Sequence, residues 1–447
     1  MSQPPKRKSP LQWTCLVLSA VVLTLTFLPL QSMAEPEDTS FFSAQWGGHL
    51  RAIGAVSWIG DESLFATQDS GPYWDGQGEL RLKSDLFMGK RLRLETHYEL
   101  VDHTGDTLEA RNGLGLSSTS GILGLLIGQE VNDDRRLMNL TRILDEGDRH
   151  VAYHRLDRFN LTYSSSRGTL HLGRQALTWG NGLIFNPMDL FNPFGPTQID
   201  RDYKVGDDMA AAQLAIPNLG DFQGLYVPRR DPDNNDVRWD QSALAGKLHF
   251  AAATTEFDVM LAKNYDDLVG GLGMAGYLGE AAWRLDATWT YVNENNYEGR
   301  DDFFSVVANM DYSWVWGRKN FYGFIEYYYN GLGQDNYQKA VVDPEITERL
   351  LRGNLFVLGK NFLSSQLQVE LHPLFNVYFT SINNVEDPSG VLQPRAIWDV
   401  RQNLQLTFGA NIYWGDKGSE YGGFIIPGTN LRSKTPDNVY VWLTYYF

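Results

Sequence analysis

The sequence predicts an all-β fold, a closed antiparallel transmembrane β-barrel of about 18 strands, on three observations. Apolar and polar residues alternate with period two through most of the chain, short and long connections alternate between those segments, and beyond the first 34 residues no apolar run is long enough for a membrane helix. Lipid cannot satisfy backbone donors and acceptors, so a sheet in a membrane must close on itself.

The N-terminus is read apart from the fold. Lys6, Arg7 and Lys8 precede an apolar stretch from Leu16 to Leu30, and Ser32-Met33-Ala34 then gives small residues flanking one position. That is the layout of a secretory signal over residues 1–34, with the barrel expected over 35–447. Cys15, the only cysteine, falls inside the signal, which excludes disulfides, thiolate metal sites and cysteine nucleophiles from the mature chain. Removing three basic residues leaves 35 basic against 54 acidic, a net charge of −19, which argues against nucleic acid as a partner.

Strands are expected near 45–58, 73–87, 91–103, 150–165, 169–179, 207–216, 221–229, 241–252, 255–264, 269–277, 280–292, 302–315, 319–330, 353–362, 366–380, 390–400, 403–414 and 437–447. The last shows the alternation well: Val439, Val441, Leu443, Tyr445 and Phe447 share one face, Tyr440, Trp442, Thr444 and Tyr446 the other. In 281–291, Ala281, Trp283, Leu285, Ala287, Trp289 and Tyr291 form an apolar stripe ending in aromatics, as a lipid-facing surface with an aromatic girdle requires.

Turns such as Met88-Gly89-Lys90, Leu278-Gly279 and Gly317-Arg318 alternate with gaps such as 59–72, 104–149, 180–206, 331–352 and 415–436; only 265–268 is short where a long one is due. Short periplasmic turns and long extracellular loops place the barrel in a bacterial outer membrane, against lipid and lipopolysaccharide. The terminal Phe447 resembles the aromatic ending by which the barrel-assembly machinery recognises the final strand of outer-membrane proteins.

The faces opposite the apolar stripes carry charge. Pore-lining candidates are Arg81, Lys83, Arg91, Arg93, Glu95 and His97 on the second and third strands, then Arg158, Arg174, Arg284 and Asp286. Such residues set a local field at a constriction or simply pair along a solvated inner wall. Within 133–147, Leu137, Leu140 and Leu144 share a helical face, so a short helix is expected there.

The stretch from Gly173 to Phe194 breaks the pattern. Leu170 and Leu172 predict an outward Arg174, which lipid penalises by about 2–4 kcal/mol, so a bulge at Gly173 is expected to turn it inward. The following loop is apolar and carries Pro187 and Pro193; Trp179, Phe185, Phe191 and Phe194 are expected to fold it into the barrel and narrow it. This G-R-Q-x-x-x-W-G element, followed by F-N-P-x-D-L-F, resembles that of alginate-export-type barrels and related uncharacterised proteobacterial porin families. The resemblance implies an 18-stranded channel-forming or exporting barrel. Alginate export would favour an arginine-rich lumen, whereas this one mixes both signs.

No G-x-S-x-G, H-E-x-x-H or P-loop occurs in its required context, and the acidic turn at Asp231, Asp233, Asn235 and Asp236 lacks the glycine and distal glutamate of a calcium loop. No catalytic residue, metal site or cofactor is expected. The function expected is a selective outer-membrane channel for small hydrophilic or anionic solutes; the alternative is a barrel that sheathes a partner protein.

Overall fold

The computed structural model describes residues 41–60, 62–64, 66, 71–113, 132–191, 193, 195, 203–293 and 302–447. The expected signal over 1–34 and the expected loop residue Phe194 lie outside them. The strands are β1 (Phe42–Trp58), β2 (Tyr73–Met88), β3 (Leu92–Gly105), β4 (Thr141–Gly147), β5 (His150–Ser164), β6 (Gly168–Gln175), β7 (Asp207–Ile216), β8 (Gly220–Val227), β9 (Ala243–Ala252) and β10 (Thr255–Asn264). They continue as β11 (Asp267–Leu278), β12 (Ala281–Tyr291), β13 (Asp302–Trp316), β14 (Lys319–Asn330), β15 (Asn361–His372), β16 (Phe375–Asn384), β17 (Ser389–Arg401), β18 (Leu404–Gly415) and β19 (Asp437–Tyr446). Among the described residues three short helices lie in the connections: α1 (Asp106–Gly113), α2 (Tyr337–Ala340) and α3 (Pro344–Leu351).

The strands form one antiparallel sheet that closes where β1 pairs with β19, from His49 opposite Tyr446 to Trp58 opposite Asp437. Eighteen of them make the barrel, and β4 is an insertion in its wall. One edge of β5 is shared: Phe159–Ser164 pairs with β6, while His150–Arg155 pairs with β4. Because β6 ends at Gln175, that stretch of β5 would otherwise present unpaired backbone groups, each costing several kcal/mol in lipid. β4 supplies the missing ladder. The helix expected over 133–147 is therefore replaced by a strand, an outcome set by the vacant edge and invisible to local periodicity.

Connections β2–β3, β5–β6, β7–β8, β9–β10, β11–β12, β13–β14, β15–β16 and β17–β18 each span two or three residues and lie at the end of the barrel that holds both termini of the sheet. Gly317 and Arg318 illustrate why: both have positive φ, 57° and 66°, the mirror-image turn that matches strand twist. The opposite end carries the long connections, together with tight ones at residues 148–149, 265–266 and 385–388.

Two expected strands are displaced. The segments expected at 353–362 and 366–380 are instead β15 and β16, hinged at Pro373 and Leu374. Leu355 and Leu358 are apolar because they pack among loop residues and Val357 because it packs against Phe185 and the inner wall of β13–β18, and proline at 373 cannot donate to a ladder.

The outer surface carries an apolar band, with Leu82, Leu172, Leu261, Leu272, Ile325, Phe379, Phe408 and Val441 all exposed. The interior differs by sector. On β7–β11 the inward residues Met209, Leu225, Val227, Ala245, Met260 and Ala262 are apolar and buried, whereas on β2, β3 and β5 they are charged.

Candidate functional site

The wall opens where β6 stops, and residues 176–191 run into the barrel. Pairing of β6 with β5 and β7 is continuous through Gly173, so the bulge expected there is absent. The irregularity sits one strand earlier: His97 faces Arg158 and Tyr98 faces Leu156, leaving Asp157 as the extra residue. Gly173 has φ of +123°, and a Cβ on it would lie 2.2 Å from the Phe159 carbonyl oxygen.

Arg174 keeps the register row of Leu170 and Leu172, yet it is 1% exposed. Its Nε and Nη2 donate to Asp208 (2.8 and 3.1 Å), its Nη1 to both oxygens of Asp133 (3.0 and 3.1 Å), and its Nη2 also to the Met138 carbonyl (2.6 Å). It rivets the 133–138 segment to β6 and β7, leaving no charged surface to offer a solute.

Beyond it the loop crosses the barrel. Trp179, Met188 and Phe191 pack against the apolar inner faces of β7–β11, with Trp179 and Phe191 edge to face at 5.5 Å. Phe185 reaches the far sector, stacked on Tyr328 at 4.5 Å and touching Phe362. Two wall carboxylates fix the backbone between these anchors. Asp286 accepts from Asn181 N and, at 2.8 Å, from its Nδ2. Glu326 accepts from three successive amides, Leu183 N (2.6 Å), Ile184 N (3.0 Å) and Phe185 N (2.8 Å).

The return of the loop docks on the charged sector. The Arg81 guanidinium lies 3.7 Å from the Tyr203 ring centre, Tyr203 Oη donates to Glu79 (3.1 Å), Arg158 donates to the Lys204 carbonyl (2.6 Å), and Gly206 N donates to Asp157 (3.0 Å). Lys204 ties the two limbs together through Asp189 at 2.6 Å.

Of the candidates taken from the sequence, Arg81, Arg158 and Asp286 thus hold the loop, with Arg81 also bridging Glu99 and Asp157. His97 accepts from Arg81 (3.1 Å), and its other nitrogen is 3.4 Å from Glu95. Arg93 pairs with Asp85 at 2.8 Å and keeps 40% of its side chain exposed; Lys83 and Arg91 are exposed nearby. Arg284 pairs with Asp311 at 2.5 Å on the inner wall. Glu326 was legible only as one more inward charge, because nothing in its own strand shows which loop will reach it. Beneath the loop lies a polar cavity of about 260 Å³, bounded by Asn181, Gln223, Lys247, His249, Glu256 and Asp258 among others.

Further loops cover the inward one. Helices α2 and α3 pack with Leu355, Leu358 and Phe424, and Asn354 Nδ2 donates to the Leu190 carbonyl at 3.1 Å. Glu420, in the loop after β18, accepts from Leu358 N (2.5 Å), Gly359 N (3.2 Å) and Asn384 Nδ2 (2.9 Å). Burial pushes its carboxyl up to about 7, aided by neighbouring Asp387 and opposed by those hydrogen bonds.

Among solved structures the barrel is similar to OccAB3 of Acinetobacter baumannii, with a TM-score of 0.52 and 11% identity over 90% of this chain and 99% of that one. It is also similar to Wzi, an outer membrane protein involved in group 1 capsule assembly in Escherichia coli and a carbohydrate binding β-barrel: TM-score 0.50, 9% identity, 99% of this chain and 90% of that one. The chain has the fold of an outer-membrane β-barrel. A BenF-like porin from Pseudomonas fluorescens Pf-5 aligns at TM-score 0.49 and 11% identity over 90% of this chain and 98% of that one. No family model and no curated protein sequence matches the chain.

Proposed function

We propose that the protein is an outer-membrane channel for small hydrophilic solutes, anions among them, exported by its N-terminal signal and narrowed by residues 176–191. The supporting observation is the loop docked across the barrel onto Asp286 and Glu326, beside a sector where Lys83, Arg93 and Glu95 line the inner wall. That combination suits passage of one small polar molecule at a time in a field of both signs. The likeness of residues 173–194 to alginate-export-type barrels favours a channel or exporter, while the mixed charge disfavours a long polyanion as cargo. A sheath around a partner protein is disfavoured, because the chain's own loop occupies that space.

Purified protein in a planar lipid bilayer should give discrete conductance steps. Correctly folded protein that leaves the bilayer silent would refute the proposal. A second reading, retention of a sugar without passage, is favoured by the polar cavity beneath the loop and by the likeness to Wzi. Calorimetric binding of an oligosaccharide by a non-conducting barrel would select it.

A further inference from the structure

The two carboxylates that hold the loop are unusual in their partners. Asp286 is fully buried and Glu326 is 1% exposed, and among the described residues every donor that reaches them is uncharged: Asn181 N and Nδ2 on the first; Leu183, Ile184 and Phe185 amides with Asn309 Nδ2 on the second. Among the described residues neither forms an ion pair, and Lys247 in the same sector is held by Asp258 at 3.2 Å. Two negative charges are therefore covered by a loop that solvates them with backbone amides and does not neutralise them.

Gly180 sits at φ +91°, a Cβ there would lie 2.8 Å from Asp286 Oδ2, and a Cβ on Gly182 would lie 1.8 Å from the Phe185 carbonyl, so the loop turns sharply on glycines beside both carboxylates. Withdrawn from the wall, the amides and the carboxylates would each regain water, while the apolar anchors Trp179, Phe185, Met188 and Phe191, the Trp179 Nε1 bond to Gln223 (2.8 Å), the Asp189–Lys204 pair (2.6 Å) and the Asn354 bond to the Leu190 carbonyl (3.1 Å) would oppose the movement.

We propose, resting on the channel reading above, that residues 179–191 form a two-position gate that masks fixed charge: docked, it hides Asp286 and Glu326; undocked, it returns both to the lumen, so the wider state prefers cations more than the narrow one. Two bare carboxylates on one side of an aqueous pore draw counter-ions toward them, and low-dielectric walls strengthen the field.

Single-channel recording across a potassium chloride gradient tests this with a reversal potential for each conductance level. Wild-type protein should show at least two levels, the larger reversing closer to the potassium equilibrium potential. Glu326→Gln, which removes the charge-assisted acceptor, should raise occupancy of the larger level by roughly tenfold. Trp179→Ala should do the same while leaving both charges in place, and so serves if the first variant does not fold. The double variant Asp286→Asn/Glu326→Gln should keep two levels with one common reversal potential. Conduction at a single level, or levels sharing one reversal potential in the wild type, overturns the gate and leaves the channel standing. A silent bilayer overturns the channel itself.

Discussion

Replacing Arg174 with alanine tests how the wall is sealed. The guanidinium makes five hydrogen bonds to Asp208, Asp133 and the Met138 carbonyl, and both carboxylate side chains are 1% exposed. Removing one member of a buried ionic cluster costs about 3–5 kcal/mol, because the remaining charges lose their compensation. Here part of that loss is offset: Asp133 keeps Arg136 at 2.7 Å and Leu140 N at 2.8 Å, and Asp208 keeps Met138 N at 2.6 Å. The expected destabilisation is therefore about 3 kcal/mol. Equilibrium unfolding by guanidinium in lipid vesicles, followed by tryptophan emission, measures it. Arg93→Ala is the control, since its partner Asp85 lies in an accessible pair and the loss should stay below about 1 kcal/mol. If Arg174→Ala falls as close to wild type as the control, the rivet is a solvated contact and the seal must come from the backbone alone.

Gly173→Ala should prevent formation of a heat-modifiable barrel on electrophoresis, since its Cβ would lie 2.2 Å from a backbone oxygen at φ +123°; normal migration would contradict that close approach. Phe191→Ala should weaken loop docking by about 3–5 kcal/mol and expose the loop to protease in the folded barrel, whereas unchanged cleavage would mean that Phe191 is not an anchor. The Glu420 contact should depend on pH. Its folded-state pKa of about 7 stands above the ordinary 4.5, so its contribution is complete below pH 4.5 and is lost as pH rises through about 7. Hydrogen-exchange protection at Leu358 and Gly359, corrected for intrinsic rates, should fall between about pH 5.5 and about pH 8.5, and Glu420→Gln should remove the fall. Protection that holds in the wild type would show that the carboxyl does not titrate in this range.

What the sequence made legible follows from which residues face lipid. Outward stripes such as Val439, Val441 and Leu443 repeat with period two because nothing else competes for those positions, and pairing between neighbours sets their register. The inner face obeys no such rule. Met209, Leu225, Met260 and Ala262 are apolar because the inward loop covers them, and Leu355 and Val357 imitate a strand because one packs under the short helices and the other against Phe185. The end of β15 at Pro373 and the start of α3 at Asp343-Pro344, where Asp343 caps Glu345 N, carried local signals that the apolar pattern outweighed. Glu326, Asp208 and the edge filled by β4 had no local signal, since each is defined by a segment distant in sequence.

The irregular features around β6 have one common cause. A barrel wall that releases a strand at Gln175 to fill its own interior exposes the edge of β5 and leaves a gap beside β7. The extra residue Asp157 accepts the amide of returning Gly206, β4 takes the free edge, and Arg174 joins the incoming 133–138 segment to Asp208. Arginine at a leucine row costs about 2–4 kcal/mol in lipid, so it persists there only because two carboxylates and a carbonyl meet it. The arginine that looked misplaced in the sequence thus marks where the wall is mended, and the apolar loop beyond it marks where the chain leaves the short β6 for the interior. Loop and patch are parts of one device. A variant that loosens the patch should therefore also alter conductance, even though none of its residues reaches the carboxylates that hold the loop.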